Sequence, residues 1–124
     1  MGCDDGSVEI DQSIKVEQTH ADTRIGVVRG DEKLLVVVDA DLKRKLLGLL
    51  RRRNVRAPHV RLFGVLLHLA LRESKMLKPG DILVIGEEYP GQENRLRDML
   101  ASRLSIDRAL ILFMRVGSDL RLTK

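Results

Sequence analysis

The run Lys78-Pro79-Gly80-Asp81-Ile82-Leu83-Val84-Ile85-Gly86 decides the fold. Proline and glycine together end whatever helix precedes them, because one lacks an amide hydrogen and the other loses the most entropy when ordered. Four apolar residues follow without interruption, the pattern of a short strand covered on both faces. A central strand is therefore expected at Ile82–Ile85. Upstream, Pro58 suits the first turn of a helix reaching Met76, and Val60, Leu62, Phe63, Val65, Leu66, Leu67, Leu69, Ala70 and Leu71 make it apolar nearly all round. Such a helix is expected to be largely buried.

Further back, Asp39-Ala40-Asp41 supplies an N-cap and an acidic first turn, after which Leu42, Leu46, Leu47, Leu49 and Leu50 recur at helical spacing up to about Arg52. Before that helix the chain is β-like. Val8, Ile10, Gln12, Ile14 and Val16 alternate with Glu9, Asp11, Ser13, Lys15 and Glu17, and the β-branched runs Thr23–Val28 and Lys33–Val38 flank a short Arg29-Gly30-Asp31-Glu32 loop. Three antiparallel strands are expected first. Downstream of the deciding run, Gly86-Glu87-Glu88-Tyr89-Pro90-Gly91 forms a loop, Gln92–Leu104 reads as an amphipathic helix, and Ala109–Val116 reads as a last strand. The element order is β-β-β-α-α-β-α-β.

At 124 residues the chain fits one domain spanning 1–124, with residues 1–6 expected to form a flexible N-terminus. Hydrophobic residues at 44% allow a core, while aromatics at 2% mean that Leu, Val and Ile must build it and that stacking platforms for bases are scarce. The net charge of +4 suits a polyanionic partner such as DNA or RNA and equally suits plain solubility. Cys3 is the only cysteine, which excludes an intrachain disulfide and a cysteine zinc site and points to a reducing compartment. No segment resembles a secretory leader or a membrane span, and Gly6 stands where myristoylation expects Ser or Thr. A cytoplasmic protein without a membrane partner is expected. Walker A, dinucleotide-binding and nucleophile-elbow patterns are absent from the sequence.

This element order resembles the ribonuclease H-like superfamily over residues 8–116. The resemblance implies an α/β fold with a mixed five-stranded sheet, three strands antiparallel and then parallel ones, flanked by helices. It also implies an acid on the first strand, here Asp11 within Ile10-Asp11-Gln12-Ser13, and a second acid at the end of the fourth strand, here Glu87 or Glu88. The superfamily usually carries an aspartate at that second position. For the remaining acids the resemblance offers Glu73 on the second helix and Asp119 after the last strand. Physically, two carboxylates at neighbouring strand ends make a hard-oxygen site for Mg²⁺ or Mn²⁺, and two such metals can activate water and stabilise the leaving oxygen of a phosphodiester. The implied function is a metal-dependent nuclease or a related phosphoryl-transfer enzyme, with Asp11 and Glu88 as metal ligands and Glu87 or Asp119 assisting.

Each feature has a plainer alternative. Asp11 shares its strand face with Ser13, Lys15 and Glu17, as on an ordinary solvated sheet face, and Glu87-Glu88 can be loop acids favouring a helix N-terminus. The basic residues Lys43, Arg44, Lys45, Arg51, Arg52, Arg53, Arg56 and Arg61 can hold phosphates or simply form a solvated helix face. His20, His59 and His68 lack metal-ligand spacing, and His68 reads as a hydrogen-bonded core residue. The alternative function is a non-catalytic nucleic-acid-binding or oligomerising scaffold, with the apolar helices as the contact in a homo-oligomer.

Overall fold

Alternation in the first strand becomes a two-sided sheet. The computed structural model describes residues 6–115, and in β1 (Ser7–Gln12) the residues Val8, Ile10 and Gln12 are buried while Ser7, Glu9 and Asp11 face the other way. β1 pairs antiparallel with β2 (Thr23–Arg29), which pairs antiparallel with β3 (Glu32–Val38). The chain then forms α1 (Ala40–Arg52) and α2 (Pro58–Ser74), and returns as β4 (Ile82–Glu87), parallel to β1. α3 (Glu93–Leu104) and a short 3-10 turn (Arg108–Leu110) lead to β5 (Ile111–Arg115), parallel to β4. The sheet order is β3-β2-β1-β4-β5. The α/β class and the mixed five-stranded sheet thus agree with the sequence expectation.

Local chemistry explains the helix limits. The Asp39 carboxylate accepts the Leu42 amide at 2.7 Å and caps α1. Pro58 begins α2 where a missing amide hydrogen costs nothing, after Ala57 has turned the chain at φ 48°. Lys75 at φ 57° ends it. Val60, Leu62, Phe63, Leu66, Leu67, Ala70 and Leu71 of α2 enter a single core with Leu47 of α1, Leu96 and Leu100 of α3, and Val8, Ile10, Ile25, Val27, Leu83, Ile85 and Ile111 of the sheet. Each such side chain contributes about 1.5–3 kcal/mol by leaving water. Most of the apolar surface of α2 is therefore spent inside the chain, with Leu69 left exposed.

All the sheet residues in that core belong to one face. The alternate face carries Leu35, Val37, Ile82, Leu112 and Met114, which remain exposed. The expectation that Ile82–Ile85 is covered on both faces is thus corrected: Leu83 and Ile85 are fully buried, whereas Ile82 is 39% exposed. An apolar run alone does not distinguish a strand buried twice from one packed once.

Two boundaries also move. The first strand stops at Gln12, not Glu17; Ser13 still donates to the Arg24 carbonyl at 2.9 Å, and the chain then leaves the sheet. Val16 is buried because it packs in the core outside any strand, so its place in the alternation mimicked pairing. The last strand begins at Ile111 because Asp107 caps a turn through the Ala109 amide, while Val116 lies outside the described residues. At the opposite end of the sheet, Arg29 pairs with Asp81 and donates to the Met76 carbonyl at 3.1 Å, and Asp81 accepts the Lys78 amide at 2.7 Å. This clamp fixes where β4 enters beside β1.

Candidate functional site

Parallel pairing of β1 with β4 aligns Ile10 with Ile85, and continuing that register sets Asp11 beside Gly86. On its other side Asp11 is opposite Gly26. Glu88 follows β4 directly, so the two acids, 77 positions apart in the chain by number, meet at the carboxyl ends of adjacent strands. Open α/β sheets tend to hold their sites at this end. Burial raises the Asp11 carboxyl above its ordinary range, while the Gln12 amide bonded to it opposes the rise. Burial also raises Glu88, followed by the charge of Asp11; Lys15 and a hydrogen bond from Gln12 work in the opposite direction. The two carboxylates therefore feel each other.

Tyr89, the only tyrosine, organises the surroundings. Its hydroxyl donates to Glu17 Oε1 at 2.9 Å and accepts the Val16 amide at 3.3 Å, pinning the segment after β1 against the end of β4. Its ring meets Phe63 at 5.0 Å and His59 at 5.5 Å, both on α2, and Lys15 Nζ lies 5.6 Å from its centroid. Burial pushes the phenol well above its ordinary value, so it stays protonated and acts as a hydrogen-bond post, not a base. Gln12 Nε2 reaches the same hydroxyl at 3.5 Å, while Gln12 Oε1 is buried without a hydrogen-bond partner among the described residues. Lys15, Gln12 and Tyr89 were missed as site residues in the sequence. Their signal was a lone tyrosine directly after two glutamates, and polar residues at the end of the first strand.

The other sequence candidates disperse. Glu87 hydrogen-bonds Glu93 at the start of α3, holding the Glu93 carboxyl below its ordinary range, and so turns toward the helix layer, away from Asp11. Glu73 is exposed near the C-terminal end of α2, at the far end of the sheet. Asp119 lies outside the described residues. Among the described residues, no group of three or more His, Cys, Asp or Glu side chains converges as a metal cage.

Lys43 requires a correction. Expected on a basic face, it is fully buried, with Nζ donating to the Gln18 carbonyl at 2.8 Å and Thr23 Oγ1 at 2.9 Å. It holds the 13–22 segment onto α1 and is not displayed to a polyanion. Arg44 is tied to Asp41 and to the Thr19 carbonyl, while Arg51 and Arg52 in the last turn of α1 and Arg53 and Arg56 in the turn before α2 are exposed. A second basic set was not grouped in the sequence: Arg61 from α2 meets Arg95 and Arg103 from α3 along one groove. His68, half-buried rather than a core residue, is lowered first by burial and then by Arg72 and Arg103.

On the uncovered sheet face, Gly26 and Gly86 flank Asp11 and floor a trough of about 390 Å³ walled by Leu35 and Met114. No helix among the described residues is long and apolar enough to cross a membrane. No family model, curated protein or solved structure matches the chain.

Proposed function

We propose that the chain is a divalent-metal-dependent phosphoryl-transfer enzyme acting on nucleic acid, a nuclease with a ribonuclease H-like fold. The observation that supports this reading is the Asp11–Glu88 pair, two carboxylates brought together at the carboxyl ends of parallel strands and each raised above its ordinary range. Keeping two ionised carboxylates together costs stability, and a dication between them would offset that cost. The donors suit Mg²⁺ or Mn²⁺: both are hard oxygens, and Mg²⁺ characteristically takes one or two carboxylates and keeps several waters. Gln12, buried on the other face of β1, steadies Glu88 through a side-chain hydrogen bond. When bound, the metal would supply Lewis acidity and an activated water.

The residues of the chain have separate tasks in this reading. Asp11 and Glu88 hold the cation. Tyr89, by fixing Glu17 and Val16, keeps Lys15 beside Glu88, where its charge faces an incoming phosphate. The exposed arginines in the last turn of α1 and the turn before α2 hold backbone phosphates further out. Nuclease assays on single, double and hybrid strands with Mg²⁺ or Mn²⁺ test the reading, together with Mn²⁺ binding followed by calorimetry. Cleavage that persists in Asp11→Asn and Glu88→Gln, or Mn²⁺ binding unchanged by both, would refute it.

A second reading is a nucleic-acid-binding protein without catalysis. The nearness of Lys15 to Glu88 favours it, because an ammonium can offset the paired acids in place of a metal. Strand binding without Mn²⁺ binding would select this reading.

A further inference from the structure

We propose that the groove between α2 and α3 is the track for the sugar-phosphate backbone of a nucleic-acid strand, with Arg61, Arg95 and Arg103 as its phosphate ligands. The proposal deepens the reading above and rests on it only for where the strand leads. α2 and α3 both run from the end of the sheet where β1 and β4 finish, since Tyr89 touches His59 and Phe63 near the start of α2 and α3 follows the same loop. Their positive dipole ends therefore lie beside Glu88 and Tyr89. Arg61 sits in the first turn of α2 and Arg95 in the first turn of α3, at the mouth of the groove.

Along α2, Arg61, Gly64, His68 and Arg72 follow one another at helical spacing on the side facing α3, where Gly64 lies against Met99. From Arg61 to Arg72, which lines the neighbouring hollow at the C-terminal end of α3, the helix rises about 16 Å, room for several phosphates of one strand. The groove is a shallow, open hollow of about 610 Å³, and its only acid among the described residues, Asp98, is paired with Arg108. Its electrostatic field is thus set by arginines, with Ser102 as a neutral hydrogen-bonding group on the wall. Fork-shaped guanidiniums fit phosphate oxygens better than ammonium groups do. A strand in this track reaches the carboxylate pair at the groove's open end.

The test is fluorescence anisotropy of a short labelled single strand, without divalent metal, against salt. Three arginine contacts contribute about −2 to the slope, roughly a twenty-fold share of the affinity lost between about 50 and 200 mM salt. In R95Q/R103Q the loss over that range shrinks by about seven-fold. Lys33→Gln, on the opposite sheet face, leaves the wild-type slope unchanged. Strand binding also moves the His68 titration upward, because phosphates offset Arg72 and Arg103.

An unchanged slope in R95Q/R103Q overturns the proposal, as does a loss confined to R52Q/R53Q, which would move the backbone onto α1. Equal binding of polyglutamate at the same slope overturns it too, because the groove would then be a general anion sink. Failure of the catalytic reading is distinct: D11N/E88Q would keep the strand bound with the same slope whether or not the pair ever cleaves.

Discussion

Giving Gly64 a side chain should lose its gain in helix propensity to one neighbour, Met99. A β-carbon at position 64 would lie 2.3 Å from Met99 Sδ, 2.9 Å from Met99 Cε and 3.3 Å from Leu96 Cδ2. Non-bonded carbon contacts are comfortable at about 3.5–4.0 Å, so the thioether must retreat by more than ~1 Å. Against this, replacing a mid-helix glycine by alanine gains about 1 kcal/mol of helix propensity. The displaced atoms are the free end of a flexible, half-buried methionine beside an open groove, so moving them costs about 1 kcal/mol and Gly64→Ala should be close to neutral. In a Met99→Ala background the clash is gone and only the Leu96 contact must give by a few tenths of an ångström. There the same substitution should stabilise by about 1 kcal/mol, a coupling of ~1 kcal/mol between the two sites. Urea unfolding with linear extrapolation, at constant slope across the four proteins, measures it. A Gly64→Ala effect identical in both backgrounds would show that Met99 does not set the close approach of α2 and α3.

Three further outcomes are expected. Asp11→Asn and Glu88→Gln should raise the melting temperature at neutral pH, because a carboxyl whose folded pKa is raised stabilises the fold at acid pH and loses that contribution as pH rises through the folded value; the gain should vanish below pH ~4, and Mn²⁺ should stabilise the wild type but not the double variant. Asp81→Ala strands the largely covered Arg29, which keeps only the Met76 carbonyl, and should cost about 3 kcal/mol by chemical denaturation, with a much smaller loss indicating that Arg29 escapes to water. Lys43→Met leaves the Gln18 carbonyl without its donor and should cost about 1–3 kcal/mol. Because burial lowers the Lys43 pKa, wild-type stability should rise as pH approaches the ordinary lysine range from below, and Lys43→Met should lack that rise.

The sheet was largely legible because its signals are local: alternation at Val8–Gln12, the short loop between the two β-branched runs, and the Pro79-Gly80 break before Ile82. Asp11 and Glu88 were also legible as a pair, since a parallel return of β4 beside β1 follows from the element order. What could not be read is what depends on distant packing. Nothing local distinguishes Lys43 from Arg44, yet one is sealed under the 13–22 segment and the other lies on the surface. Glu87 and Glu88 differ by one position, and strand alternation alone sends the first toward α3. Arg61, Arg95 and Arg103 are separated by a strand and a loop in sequence, and only the packing of α2 against α3 makes them one surface.

The two glycines beside Asp11 govern how much water reaches that carboxylate. A β-carbon at Gly26 would meet nothing within 4 Å, so the space above the strand is open to solvent, and its dielectric screens the charge. Each methyl group added at position 26 would displace some of that water and make ionisation of Asp11 more costly. The burial that already raises Asp11 can therefore be increased at a residue with no ionisable group, and enlarging it step by step from alanine to valine would raise Asp11 further without touching either carboxylate.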